Sequence, residues 1–122
     1  MAFVSFVVLI STLVLAQSQN FDAIEVKIQP AQGNVYMLVG AGGNVTVQVG
    51  KEGVLVVDTQ YAQMSAKILA AIRTLSSGPI RYIINTHVHP DHIGGNEAIR
   101  KAGSTIAGGN VSFDIQDRKS VV

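Results

Sequence analysis

Cysteine and tryptophan are both missing from this sequence of 122 residues, and only 14% of the residues are charged. Without cysteine the chain can form no disulfide and can carry no lipoprotein anchor. The formal net charge is +1, and the nine Lys and Arg residues are scattered along the chain. Because nucleic-acid binding normally needs a basic stripe, these features argue against a nucleic acid as the partner.

Basic residues are also missing from the N-terminus, since no Lys or Arg precedes Lys27. An apolar run at Ala2–Ala16 is shorter than the roughly 20 residues that span a bilayer, and Val14–Ala16 resembles a cleavage site of small residues. These features predict a signal peptide at residues 1–16; the alternatives are an uncleaved anchor and a buried core helix. A cleaved, cysteine-free product fits a bacterial periplasm or secretion, without stable membrane association.

After a linker at residues 17–23, short apolar segments separated by glycine-containing turns predict a sheet. The run Val54–Val57 is continuously apolar, which predicts a central strand buried on both faces. The glycines of Gly40–Asn44 could suggest a phosphate-binding loop, but no Walker or dinucleotide pattern follows, and we interpret them as a hairpin turn. The predicted strands are Ile24–Gln29, Asn34–Val39, Val45–Val49, Val54–Val57, Ile80–Asn85 and Ser104–Ala107.

Two helices are predicted between these strands. Apolar residues recur at helical spacing from Met64 to Leu75, before a break at Ser77–Pro79. A second helix is predicted at residues 95–102, ended by Gly103. The order of elements predicts an α/β (α+β) fold in which a mixed sheet carries its helices on one face.

Histidine is confined to one short stretch, because all three histidines of the chain fall within His87–His92. His87 and His89 are two residues apart in an extended segment, so they share a face and can bind one metal ion. Pro90 then bends the chain, so that Asp91 and His92 can turn toward a second ion. Imidazole and carboxylate ligands favour zinc, with iron or manganese as alternatives.

Two ions about 3.5 to 4 Å apart can hold a bridging hydroxide, with Asp91 orienting it, and hydrolysis is the expected chemistry. Gly94 and Gly95 let the backbone pass close by and begin a helix whose positive end faces the site. The alternative is a solvated turn or a polar cluster satisfied by its own hydrogen bonds.

The stretch Thr86-His87-Val88-His89-Pro90-Asp91-His92-Ile93-Gly94-Gly95 resembles the signature of the metallo-β-lactamase-fold hydrolases. The strand Gly53–Thr59 resembles another landmark of that family, an apolar strand that ends in Asp-Thr-Gly, although Gln60 stands where the family often has glycine. The resemblance implies metal ligands at His87, His89, Asp91 and His92, a catalytic role for Asp91, and structural roles beside the metals for Asp58, Thr86, Gly94 and Gly95.

The resemblance covers residues 24–111, the N-terminal half of an αββα sandwich. It implies that one more histidine for the first metal, a bridging aspartate and a last histidine for the second come from a C-terminal half. No histidine follows His92, and Asp114 and Asp117 lie in a polar tail with no strand to position them. We therefore expect half a metal site and an uncovered apolar sheet face.

The tail at residues 112–122 ends in Asp117–Val122, which matches one reading frame of a common sequencing-library adapter. We expect natural sequence to end near Gln116 and residues 117–122 to be non-native; the alternative is a genuine polar C-terminus. Reading the source DNA beyond the codon for Gln116 distinguishes the two.

Three functional hypotheses follow. The first is a metal-dependent hydrolase, expected to hold two zinc ions, in which metal-bound hydroxide attacks an ester, an amide such as a β-lactam, or a related bond of a small-molecule substrate. On this hypothesis the full-length product is an enzyme and the 122-residue chain is a truncated, inactive part of it. The second is a non-catalytic fragment that binds metal weakly at most. The third is a mononuclear iron oxygenase of the same fold. The sequence indicates no oligomeric state.

Overall fold

Six strands form one mixed sheet in the computed structural model, which describes residues 18–103 and a two-residue strand at positions 120 and 121. The sheet follows chain order, and its first four strands form the expected antiparallel meander. The next two strands each lie parallel to the one before. The strands are β1 (Lys27–Gln32), β2 (Val35–Val39), β3 (Val45–Gly50), β4 (Gly53–Val57), β5 (Ile80–Ile84) and β6 (Ser120–Val121).

Three α-helices accompany the sheet: α1 (Ser65–Leu75), α2 (Pro90–Ile93) and α3 (Asn96–Ala102). Short 3-10 helices occur at Phe21–Ala23 and Ala62–Met64. Among the described residues no helix has the length and apolarity needed to cross a bilayer. The expected signal peptide, the predicted strand Ser104–Ala107 and residues 112–119 of the tail lie outside the described residues.

One face of the sheet forms the hydrophobic core with α1 and α3. Val56 of β4 lies between Val47 of β3 and Ile83 of β5, and all three are fully buried. The helices add Ile68, Ile72 and Ile99, also fully buried, to the same cluster. The predicted arrangement, a mixed sheet with helices on one face, is confirmed.

Within the described residues the opposite face of the sheet is partly exposed, which corrects the prediction that β4 is buried on both faces. Leu55 and Val57 alternate with the core positions of β4 and are only half-buried. Their neighbours on β5, Tyr82 and Ile84, are 45% and 37% exposed. The prediction was wrong because the described helices bury their apolar residues against the other face.

The first strand is displaced by three residues from its predicted bounds: it begins at Lys27 rather than at Ile24. Pairing across the tight turn at Gly33, which has a φ of 56°, sets the register and places Lys27 opposite Val39. The segment before the strand is instead held to α1. There the Lys67 ammonium donates hydrogen bonds to the backbone oxygens of Phe21, Asp22 and Ile24, at 2.9, 2.8 and 2.6 Å.

Candidate metal centre

The histidine stretch lies at the edge of the sheet where β4 and β5 both end. These strands run parallel, with Val57 opposite Ile84, so the residues that follow each strand emerge side by side. The backbone N–H of Asp58 donates to the carbonyl oxygen of Ile84 at 2.7 Å. Asp58 and Thr86, which are 28 residues apart in sequence, are thereby brought together.

A single helical turn, α2, carries two of the predicted ligands. Pro90 occupies the start of this turn, where its fixed φ is already helical and its missing N–H is not needed. The preceding residue, His89, is extended, with φ and ψ of −66° and 144°. The predicted bend at Pro90 therefore takes the form of a helix start, and Asp91 and His92 follow on the same turn.

The three imidazole rings form one cluster with His87 in the middle. The ring centroid of His87 lies 4.6 Å from that of His89 and 3.9 Å from that of His92. The carboxylate of Asp91 reaches the cluster, with its Oδ2 atom 3.5 Å from Nε2 of His92. The structure thus brings all four predicted ligands to one edge of the sheet.

Asp58 is the buried acid behind this cluster, with a relative exposure of 3%. Its Oδ1 accepts a hydrogen bond from the Thr86 N–H at 2.8 Å. Its Oδ2 accepts from the Thr86 hydroxyl at 2.7 Å and pairs with Nδ1 of His92 at 2.7 Å. Burial on its own would raise the pKa of Asp58, but these bonds from Thr86 and His92 outweigh burial and lower the pKa below its usual value. Asp58 is therefore an anion at neutral pH.

The anionic state of Asp58 sets the proton positions on two histidines. An ionised carboxylate only accepts hydrogen bonds, so His92 carries its proton on Nδ1. The single hydroxyl proton of Thr86 is donated to Asp58, so the contact of 2.9 Å between Thr86 Oγ1 and Nδ1 of His87 requires a proton on that Nδ1 as well. In the neutral form of each ring, a proton on Nδ1 leaves Nε2 with the lone pair that a metal ligand needs.

A second group of residues holds the backbone of His92. Its carbonyl oxygen accepts from the Thr59 N–H at 2.8 Å and from Nδ2 of Asn85 at 3.3 Å. The amides of Asn85 and Asn96 bond reciprocally at 2.7 and 3.0 Å. Sequence patterns predicted no site role for Thr59, Asn85 or Asn96. The one local signal was Asn85, a polar residue that ends an apolar strand directly before the histidines.

Gly94 and Gly95 lie where the chain after α2 passes the segment after β4. A Cβ atom on Gly94 would lie 2.6 Å from the backbone nitrogen of Ala62, and one on Gly95 would collide with the carbonyl oxygen of Thr59. The N–H of Gly95 donates to the carbonyl oxygen of Gln60 at 3.1 Å. The structure therefore places both glycines at a close approach of two backbones, where a side chain has no room.

The donor set suits zinc in kind, because it combines neutral imidazole nitrogens with a carboxylate. In the part of the chain that the structure describes, however, no three or more His, Cys, Asp or Glu side chains are arranged to hold one ion. The imidazole rings instead contact one another. The described residues therefore supply ligands of the right chemistry without a complete coordination sphere.

The chain is similar to known proteins, both in sequence and in fold. The family model for the metallo-beta-lactamase superfamily matches residues 31–113, more than half of the chain. A linear primary-alkylsulfatase from Pseudomonas sp. (strain ATCC 19151) is 48% identical over 48 residues, which cover 38% of this chain and 9% of that protein.

Solved structures with a similar fold include subclass B3 metallo-beta-lactamases. The enzyme from Bradyrhizobium japonicum is 29% identical, with a TM-score of 0.56, over 63% of this chain and 30% of its own. A metallo-beta-lactamase from Novosphingobium pentaromativorans is 27% identical, with a TM-score of 0.57, over 62% of this chain and 29% of its own. A B3 enzyme described by its active-site glutamic acid is 31% identical, with a TM-score of 0.57, over 64% and 30%. The chain thus spans about 30% of the length of these structures.

Proposed function

Because the chain belongs to the metallo-beta-lactamase superfamily, we propose that the protein is a metal-dependent hydrolase whose metal ligands include His87, His89, Asp91 and His92. The observation that carries this proposal is the hydrogen-bond chain from His87 through Thr86 and Asp58 to His92. A polar turn without a metal has no need for two imidazoles that are both fixed through Nδ1.

Zinc is the metal that we propose, and we expect the complete site to hold two zinc ions. The chemistry of the donors supports zinc, as does the description of one structural neighbour, 22% identical to this chain, as a di-zinc enzyme. We propose that ligands from outside the described residues complete the site. The incomplete coordination sphere and the length of the relatives both support this.

Each residue has a distinct task in the proposed reaction. Zinc, when bound, supplies Lewis acidity and brings the pKa of bound water to about 7. We propose that the Asp91 carboxylate, whose side chain is 31% exposed, accepts a hydrogen bond from the attacking water and orients it. Asp58 fixes the imidazole of His92 directly and that of His87 through Thr86, so neither ring has to reorient during the reaction.

The substrate that we propose is a small molecule with an ester, an amide such as a β-lactam, or a related bond. Sulfate esters are a second candidate, favoured by the 48% identity to an alkylsulfatase over 48 residues. We also propose export, to the periplasm or outside the cell. The apolar run at Ala2–Ala16 supports export.

The test is hydrolysis by the complete open reading frame that contains these residues, assayed with a β-lactam, a carboxylic ester and an alkyl sulfate. Asp91→Asn should lower the rate at least about 100-fold, because the attacking water loses its carboxylate partner. Glu97→Gln is the matched control, because it also replaces a carboxylate with an amide. Glu97 lies on the exposed side of α3, where it contacts Lys101, so this change should leave the rate unchanged. A chelator should abolish the activity, and zinc should restore it.

Other outcomes would favour the other hypotheses. Hydrolysis that survives both Asp91→Asn and the chelator would contradict the proposal. Oxygen consumption that depends on iron would indicate the oxygenase. A folded protein that neither binds zinc nor hydrolyses any of the three substrates would indicate a non-catalytic fragment.

A further inference from the structure

The turn between β2 and β3, residues Gly40–Asn44, reaches the histidine cluster, and we call it the glycine loop. It connects two antiparallel strands, so its interpretation as a hairpin turn is confirmed. Its three glycines contact three different residues of the candidate metal centre. Gly40 lies against Gln60, Gly42 against Asp91 and Gly43 against His92.

The α-carbon of Gly43 lies directly against the imidazole of His92. A Cβ atom at this position would lie 2.5 Å from Nε2 and 2.8 Å from Nδ1 of the ring, distances that real Cβ atoms essentially never show. The ring has little freedom to withdraw, because Nδ1 is bound to Asp58 and the backbone carbonyl of His92 is bound to Thr59. Glycine at position 43 therefore lets the ring stand where Asp58 can hold it.

Gly42 plays the same part for Asp91. A Cβ atom there would lie 2.8 Å from Cβ of Asp91 and 2.7 Å from the ring of Tyr61. Because Cβ of Asp91 is fixed by the backbone of α2, it cannot move away by a change of rotamer. Any side chain at position 42 must therefore shift the loop or the helical turn that carries Asp91 and His92.

The glycine loop is itself fastened to the segment after β4. The N–H of Ala41 donates to Oε1 of Gln60 at 3.2 Å, and Gln60 is completely buried. The amide of Gln60 fills the space beside Gly40, where a Cβ atom would lie 2.9 Å from Nε2. The loop thus lies between Gln60 on one side and the ligand-bearing turn on the other.

We infer that the glycine loop is the wall that sets the positions of His92 and Asp91, and that Gly42 and Gly43 are positioning residues for these two side chains. The inference deepens the proposed function and rests on it in one respect, that His92 and Asp91 are metal ligands. Without the wall, the two side chains lose the fixed geometry that zinc binding requires.

The test compares Gly43→Ala with Gly50→Ala in the full chain. Gly50 is the control because a Cβ atom there meets only the carbonyl oxygen of Gly53, at an ordinary 3.6 Å. Nitrogen-15 spectra of the zinc-free protein, at about pH 8.5 where free histidine is neutral, report which ring nitrogen carries the proton. Wild type and Gly50→Ala should show His92 protonated on Nδ1, and Gly43→Ala should lose that form.

Zinc affinity provides the second readout. Gly43→Ala should weaken zinc binding about 10- to 100-fold, as expected when a support behind a metal ligand is removed, and Gly50→Ala should leave it unchanged. A folded Gly43→Ala protein with the wild-type His92 tautomer and wild-type zinc affinity would overturn the inference. If Gly43→Ala does not fold, the test is a nuclear Overhauser spectrum of the wild-type protein. The inference requires a contact between the Gly43 α-protons and the His92 ring, and absence of that contact would overturn it.

Failure of the proposed function would give a different experimental result from failure of this inference. If wild type binds no zinc, the metal-dependent hydrolase is contradicted, while the His92 tautomer and the Gly43 contact still test the glycine loop.

Discussion

Both ends of the sheet contain residues with positive φ angles, but the residue types differ between the two ends. At the end away from the histidines, the positive φ angles belong to glycines, Gly33 at 56° and Gly53 at 131°. At the histidine end, they belong to Asp58 at 64° and Gln60 at 59°. Glycine adopts such angles without strain, whereas other residues pay about 1 to 3 kcal/mol.

The difference supports the proposal that the histidine end carries a task beyond folding. At the histidine end the strained residues are kept for their side chains: Asp58 binds Thr86 and His92, and Gln60 binds the glycine loop. At the other end the turns need only backbone freedom. Strain that is tolerated for the sake of side-chain contacts is typical of functional sites.

The largest effect on stability is expected at the glycine end, from Gly53→Ala. A Cβ atom there would collide with the carbonyl oxygen of Pro79, which accepts the N–H of Val54 at 2.8 Å. Together with the φ of 131°, this should cost about 3 kcal/mol of unfolding free energy. Urea unfolding measures it, with Gly50→Ala as the control. An equal loss in both variants would remove the contrast between the ends.

The next largest effect is expected from Asp58→Asn, and it should fall mainly on zinc affinity. The amide nitrogen of asparagine donates where the carboxylate accepted, so His92 would have to accept on Nδ1 and carry its proton on Nε2. The Thr86 hydroxyl, no longer bound by an acceptor at position 58, would turn toward His87 and reverse that ring as well. Both Nε2 atoms would then be blocked.

We expect Asp58→Asn to weaken zinc binding at least about 10- to 100-fold, equivalent to about 1.4 to 2.7 kcal/mol. Calorimetric zinc titration measures the affinity, and ring nitrogen-15 spectra check both tautomers. Glu97→Gln again serves as the control. Unchanged zinc affinity in a protein with reversed tautomers would contradict the role assigned to Asp58.

A smaller effect is expected from acid. The pKa of Asp58 in the folded protein lies below its ordinary value of 3.8, so its ionised form favours the folded state. This contribution is present above the ordinary pKa and is lost as the pH falls through the lower folded-state pKa. The difference in unfolding free energy between wild type and Asp58→Asn should therefore shrink as the pH falls below about 4. A difference that grows as the pH falls would contradict the assignment.

The smallest net effect on stability is expected from Gln60→Gly, which tests the other strained residue. Glycine removes a backbone strain of about 1 kcal/mol and a buried Nε2 atom that has no hydrogen-bond partner, and these gains offset the lost bond to Ala41 and the cavity left by the side chain, so the unfolding free energy should change by less than about 1 kcal/mol. The Ala41 amide should nevertheless exchange with solvent faster, because it loses its acceptor. Unchanged exchange at Ala41 would show that Gln60 does not fasten the loop.

The order of elements and the place of the histidines could be predicted because both depend on local patterns. Strand runs, the helical spacing up to Leu75 and the turn at Gly40–Asn44 each lie within a short stretch of sequence. The register of β1 could not be predicted, because the Gly33 turn and Lys67, which is remote in sequence, decide it. Burial of Leu55 was overestimated because an apolar strand does not show whether a second layer covers it.

The hydrogen-bond support of the site was even less accessible to sequence reasoning. Asp58 and His92 are 34 residues apart, and only the parallel pairing of β4 and β5 brings them together. The contact between Gly43 and His92 depends on where a hairpin turn points, which no local pattern encodes. The bend at Pro90 was predicted, but the helical turn that begins there was not, although proline at the first position of a helix is a recognisable signal.

Zinc titration of the zinc-free product of the complete open reading frame, followed through the ring nitrogens of His87, His89 and His92, tests the central claim most directly. If the cluster is a metal centre organised by Asp58, all three rings will respond to zinc, and His87 and His92 will change at Nε2 while Nδ1 keeps its proton. If zinc leaves the three rings unchanged, the cluster is a polar turn and the assignment of a metal-dependent hydrolase is wrong.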